Sequence, residues 1–158
     1  MSDQPFLSVV IPAYNEERRI VATLHQVLDY LSAQSYGSEV LVVDDGSTDS
    51  TAALVQGLKA GAPTLSLLCE PHRGKGHAVK AGMLAARGQY RFLCDADLSM
   101  PIDQLARFLP PQRQDYDIAI GSREVAGARR IGEPGRRHLM GRVFNFTVRL
   151  LAVPGIND

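Results

Sequence analysis

Cysteine is scarce in this chain, and apolar stretches of membrane-spanning length are missing altogether. Cys69 and Cys94 are the only thiols among 158 residues, which excludes a disulfide framework. Each falls in a predicted buried strand, as reduced apolar cysteines do, and a cytosolic compartment is expected. No signal peptide opens the sequence, and no apolar run approaches the ~20 residues of a membrane helix. Net charge is also lacking, with 17 basic and 17 acidic side chains. The Asn145-Phe146-Thr147 sequon would go unused in the cytosol.

Several chemical signatures are missing too. Gly74-Lys75-Gly76 is followed by Val79 where a dinucleotide fingerprint requires its third glycine, and no phosphate-loop Gly-Lys-Ser/Thr occurs. There is no Gly-x-Ser-x-Gly elbow. His25, His72, His77 and His138 lack zinc-ligand spacing with the cysteines. Hydride transfer, phosphate-loop hydrolysis, serine esterase chemistry and structural zinc are thereby disfavoured.

What is present is an alternation of strands and helices. The composition, 45% apolar and 22% charged, is that of a globular protein, and residues 1–158 suit one domain. Apolar runs at 7–11, 39–43, 65–69 and 90–94 predict buried strands, the first ended by Pro12. Ile20, Leu24, Val27, Leu28 and Leu31 recur at helical spacing, with Asn15 as the expected N-cap. Residues 47–50 supply caps for a helix through Leu54, Val55 and Leu58. A third helix, 74–87, carries Ala78, Val79, Gly82, Met83 and Ala86 on one face, and Gly88 stops it. Pro101 opens a short helix through Ile102, Leu105, Ala106 and Phe108. A fifth strand is predicted over 116–122, then a loop over 123–137 and an amphipathic helix over 139–151. Continuously apolar strands separated by helices imply a parallel sheet covered on both faces, an α/β class.

Ligands of such sheets bind at the carboxyl ends of the strands. Asp95-Ala96-Asp97 follows the fourth strand, Asp44-Asp45 the second and Asn15-Glu16 the first. Spacing of two along a strand would send Asp95 and Asp97 to one face. Paired hard oxygens suit Mg²⁺ or Mn²⁺ carrying a diphosphate. Asp44 or Asp45 can accept from a base N–H or a ribose hydroxyl, Tyr14 offers a ring near the base, and Arg73 and Lys75 add positive charge near the phosphates. Each residue alone reads as a cap or a solvated turn; three acidic groups on one sheet edge read as a nucleotide diphosphate site with a metal. Between Ile118 and Arg149, seven arginines face Glu124 and Glu133. Such a patch suits phosphate or an anionic membrane surface, or is a solvated loop.

Pro12-Ala13-Tyr14-Asn15-Glu16, Val43-Asp44-Asp45-Gly46-Ser47-Thr48-Asp49, Gly74-Lys75-Gly76 and Asp95-Ala96-Asp97 together resemble the family 2 inverting glycosyltransferases of GT-A fold. Gly121-Ser122-Arg123 and Gly141-Arg142-Val143-Phe144-Asn145 are similar to the polyprenyl-phosphate sugar synthases, the dolichyl-phosphate β-glucosyltransferase branch above all. The resemblance implies a Rossmann-like α/β/α sandwich with a mostly parallel sheet. It implies donor contacts from Pro12, Tyr14, Glu16, Val43, Asp44, Asp45, Lys75, Asp95 and Ala96, a metal on Asp95 and Asp97, and catalytic roles for Asp97 and Arg123. The implied reaction moves a hexose from UDP-glucose, or alternatively GDP-mannose, to a polyprenyl monophosphate. That acceptor is largely dianionic at neutral pH and needs no catalytic base. No nucleic-acid partner is implied. Related enzymes continue past the position of Asp158, so donor binding is expected to survive in this chain where acceptor binding would not. The 139–151 helix is expected to pack on the sheet; its rival reading is peripheral contact with the cytoplasmic face of a membrane. Transfer to a saccharide hydroxyl, a non-catalytic nucleotide-sugar-binding fragment and a nucleotidyltransferase are the competing functions.

Overall fold

The computed structural model describes residues 4–112 and 116–121. Two compact units divide the chain, Met1–Gln114 and Asp115–Asp158. The first holds a four-stranded parallel sheet. In chain order its elements are β1 (Leu7–Ala13), α1 (Ile20–Ser32), β2 (Ser38–Asp44), α2 (Thr51–Leu58), β3 (Leu65–Cys69), α3 (Lys75–Ala85) and β4 (Tyr90–Leu93). Short 3₁₀ turns, Lys59–Gly61 and Ile102–Phe108, complete it. The helix expected after Pro101 is thus 3₁₀ rather than α.

The strands run in the order β3-β2-β1-β4. Successive crossovers go outward from β1 in one direction and then jump back to its other side. The crevice between the β1 and β4 ends is therefore the topological switch point, where ligands of open α/β sheets bind. Ala13 is paired with Asp44 at the β1/β2 ends, whereas β4 already leaves β1 at the Val10–Leu93 pair. Both faces are covered, as the apolar strands predict. Leu7, Val9 and Ile11 pack with Ile20, Leu24, Val27 and Leu31 of α1 and Val55 of α2. Val10, Leu41 and Val43 pack on the other face with Ala78 and Ala86. Fully burying a Val, Leu or Ile side chain stabilises by about 1.5–3 kcal/mol.

Close helix–sheet approach explains Gly82. A Cβ there would fall inside contact distance of Val10 Cγ1 and lie 2.8 Å from Val43 Cγ2. Gly88 is required for a related reason, since a Cβ there would lie 2.5 Å from the Ser8 amide nitrogen. It does not end α3 as a left-handed cap; Ala86, in extended conformation, is the residue that ends it. Asn15 is not the cap of α1 either. That helix starts after Arg19 with no side-chain cap, and Asn15, at φ 55°, instead accepts the Thr48 amide at 2.9 Å. Cys94 is buried as expected, but Cys69 is exposed, because the outer strand β3 is only partly covered.

Of the second unit, residues 116–121 are described, and they form no strand. A fifth strand was expected over 116–122, with Tyr116, Ile118 and Ile120 as its large apolar side chains. Those side chains are 63%, 78% and 56% exposed, so the burial that favours a strand is not realised over this stretch.

Candidate active site

A cleft of about 270 Å³ opens at the carboxyl end of the sheet. The β1 end contributes Pro12, Ala13, Tyr14 and Glu16, and β2 contributes Asp45. The β3–α3 connection and α3 supply His72, Gly74, Lys75 and Ala78, and the turn after β4 supplies Asp95, Ala96 and Asp97. Asp45 and Asp97, which come from different strands, thus share one cavity.

The Asp95–Asp97 pair reaches the cleft by a turn and not by strand alternation. β4 stops at Leu93, and the Leu98 amide donates to Asp95 O at 3.0 Å to close the turn. Leu98 follows at φ 48°, a left-handed conformation unusual for this residue. Two further contacts hold the turn. Thr23 Oγ1, buried on α1, donates to Ala96 O at 2.6 Å. The Ser99 amide and hydroxyl donate to Asp97 Oδ1 at 2.9 Å and 2.7 Å. The Ser99 hydroxyl, then its amide, lower the Asp97 pKa from its ordinary value; burial opposes them and the Arg19 charge assists. Asp97 is therefore oriented and ionised. Lys75 Nζ sits on Asp95 Oδ1 at 2.7 Å.

This donor set fits a hard divalent cation: two carboxylates line one cleft, and an ammonium already occupies one of them as a stand-in cation. Among the described residues no group of three or more His, Cys, Asp and Glu converges on a metal position. A cation held here would complete its shell with oxygens of a ligand or of water.

Asp45 and Asp44 have different surroundings. Asp45, 2% exposed, accepts from the Arg73 and Gly74 amides at 3.0 Å and 2.9 Å and pairs with His72 Nδ1 at 2.9 Å. Burial pushes its carboxyl up, but the two amides and His72 together hold it below the ordinary value. Both oxygens are engaged, so the segment carrying Arg73 and Lys75 is pinned from below, and Arg73 is part of that anchor through its backbone. Gly46 permits this: at φ 70° it runs so close that a Cβ would lie 2.7 Å from the His72 amide nitrogen. Asp44, 4% exposed, uses Oδ2 to accept the Ser47 amide at 3.1 Å. Its Oδ1 is buried without a hydrogen-bond partner.

Val43, like the buried Asp44, is an expected donor contact that does not line the cleft. It is fully buried against α3, because alternation along β2 turns it into the core, and only its backbone remains at the strand end. Tyr14 stacks on His72 with ring centroids 4.1 Å apart and planes 21° from parallel. Glu16 is fixed by its amide, which donates to Thr51 Oγ1 at 2.8 Å, and by Arg19 Nε on Oε2 at 2.6 Å. Arg123, the arginine patch beyond it and the 139–151 helix lie outside the described residues. Sequence reasoning missed three supports: Thr23, His72 and the Ser99 buttress. Thr23 was detectable as a polar residue within the apolar stripe of α1; nothing local to His72 marked it.

Residues 8–153 match the family model described as Glycosyl transferase family 2. The chain is 38% identical over 179 residues to the dolichyl-phosphate beta-glucosyltransferase of Drosophila melanogaster, covering 100% of this chain and 54% of that protein. It is 33% identical to the Homo sapiens protein of the same name, over 96% of this chain and 52% of that one. The chain thus spans about half the length of the curated relatives it matches. Among solved structures, a mannosyltransferase from Pyrobaculum calidifontis in complex with GDP-Man and Mn²⁺ superposes with a TM-score of 0.55 at 34% identity, covering 66% of this chain and 31% of that one. The S. aureus TarS 1-349 complex with UDP-GlcNAc gives 0.52 at 28% identity, over 63% and 29%. A family match across nearly the whole sequence, on a sheet with these strand ends, leads to one conclusion: the chain belongs to glycosyl transferase family 2.

Proposed function

We propose that this chain carries the donor-binding half of an inverting hexosyltransferase that moves glucose from UDP-glucose to a polyprenyl or dolichyl monophosphate. The observation that carries the reading is the convergence of Tyr14, Glu16, Asp45, Asp95 and Asp97 on one cleft at the β1/β4 switch point. The names of the curated relatives support the acceptor and the sugar.

The residues divide the work by chemistry. Tyr14, braced by His72, offers a ring face to the base. Asp44, which does not line the cleft, supports the β2 end from behind by accepting the Ser47 amide. Asp45 shapes the wall by holding residues 72–74. Asp95 and Asp97 would hold Mg²⁺ or Mn²⁺, which neutralises charge growing on the diphosphate leaving group. Lys75 adds positive charge at the same end, and Arg123 would meet a donor or acceptor phosphate. A monoester phosphate acceptor is already a nucleophile, so alignment and charge stabilisation carry the transfer without a base. GDP-mannose is the second reading for the donor, favoured by the ligand of the Pyrobaculum neighbour. No helix of the described residues is long and apolar enough to cross a membrane, and the proposed place of work is the cytoplasmic surface of one.

A donor panel tests this reading. This chain and a longer relative, the Drosophila melanogaster protein, are each offered UDP-glucose, GDP-mannose and UDP-GlcNAc with Mn²⁺ and a short polyprenyl phosphate. The reading expects UDP-glucose binding by both and glucosyl-lipid from the longer protein. Transfer to saccharides but not to the lipid would overturn the acceptor, and preference for GDP-mannose the donor.

A further inference from the structure

The ion pair at the entrance to the carboxylate pair has a consequence for how the site fills. Lys75 Nζ lies 2.7 Å from Asp95 Oδ1, with the two side chains 64% and 45% exposed. Lys75 is the first residue of α3, directly after Gly74, whose amide is held by Asp45 Oδ2 at 2.9 Å. The lysine backbone is therefore fixed to the cleft wall, and only its flexible stem can move. Its ammonium is compact and can leave one oxygen for another without a change of fold.

We propose that Lys75 is the positioning residue that couples cation binding to nucleotide binding: it occupies Asp95 in the free protein and moves to the diphosphate when a divalent cation enters with the nucleotide. The proposal rests on the donor-site reading above and adds to it an order of events. A cation arriving alone meets two carboxylates, one carrying an ammonium and the other with one oxygen taken by Ser99. Among the described residues no third acidic, histidine or cysteine side chain completes the group. It must displace a like charge that then has no partner at close range. With a diphosphate present, the displaced ammonium finds phosphate oxygens instead, and both cations are neutralised. Binding of one partner then strengthens binding of the other by a common factor.

The test uses Mn²⁺, whose free aqua ion is read by electron paramagnetic resonance, on the full chain with Mn²⁺ alone and again with UDP. Lys75→Gln is expected to bind Mn²⁺ alone about two- to fivefold more tightly than wild type, because a competing charge of the size seen in exposed ion pairs is gone. In the same variant UDP should tighten Mn²⁺ less than it does in wild type. Lys75→Arg retains the charge and should behave as wild type with Mn²⁺ alone. Equal or weaker binding of Mn²⁺ alone by Lys75→Gln, with an unchanged circular dichroism melt, would overturn the proposal. Failure of wild type to bind UDP-glucose at all would overturn the donor-site reading and leave the Mn²⁺-alone comparison to decide the role of Lys75.

Discussion

Ser99 shows how a residue two positions from a carboxylate can set its behaviour. Its hydroxyl and amide both donate to Asp97 Oδ1, which orients the carboxylate and leaves the other oxygen for a ligand. Ser99 thus sits behind the carboxylate. Partners of this kind typically change metal affinity by about 10–100-fold. Ser99→Ala keeps the amide bond and loses the hydroxyl, so the expected effect is at the lower end, about tenfold weaker Mn²⁺ binding in the presence of UDP. The thermal midpoint should be nearly unchanged. Calorimetric titration with and without UDP checks it. At this scale the candidate residues were legible and their supports were not. Asp45 and Asp97 announce themselves as acidic groups at strand ends. Whether Asp45 faces a ligand or a backbone amide depends on His72, Arg73 and Gly74, which lie 27 to 29 positions away in sequence.

At the scale of elements, α3 is fastened to the sheet along its inner face and just past its C-terminal end. Gly82 lets it lie against Val10 and Val43, and Glu39 on β2 ties down the chain just after its C-terminal end. Glu39 accepts from Ser8 Oγ at 2.6 Å, from the Arg87 amide at 2.7 Å and from the Arg87 guanidinium at 3.0 Å and 2.8 Å. Gly82→Ala should destabilise by about 1–3 kcal/mol through overpacking, read as a lower urea midpoint at unchanged slope. Glu39 also predicts a pH dependence. Burial pushes its carboxyl up, yet the bonds from Ser8 and Arg87 outweigh burial and hold it below the ordinary value. A depressed folded value means the contribution is present above the unfolded value, about 4.3, and is lost as pH falls through the folded one. The stability gap between wild type and Glu39→Gln should therefore be open at pH 7 and shrink below pH about 4, as urea unfolding at several pH values would show. A gap that widened on acidification would contradict this sign. Elements were the most legible scale: the α1 stripe and all four strands were readable from period and run length. Their ends were not, because Asn15 and Gly88 serve contacts with Thr48 and Ser8 that no local pattern reveals.

For the whole molecule, the decisive feature is strand order. Placing β4 beside β1 brings Asp95-Ala96-Asp97 next to Pro12-Ala13-Tyr14, two segments about eighty positions apart in the sequence. Alternation of strands and helices was enough to predict a parallel sheet; the family motifs were needed to say which strand ends meet. The strand expected over 116–122 is not formed over the described residues 116–121, whose apolar side chains Tyr116, Ile118 and Ile120 stay largely exposed. If these strand ends form one cation-dependent nucleotide-sugar site, calorimetric titration of UDP-glucose with and without Mn²⁺, on wild type and Asp97→Asn, will read it. Binding that requires Mn²⁺ and weakens at least about tenfold in Asp97→Asn is the predicted result. Binding indifferent to both the metal and Asp97, or none at millimolar donor, would contradict it.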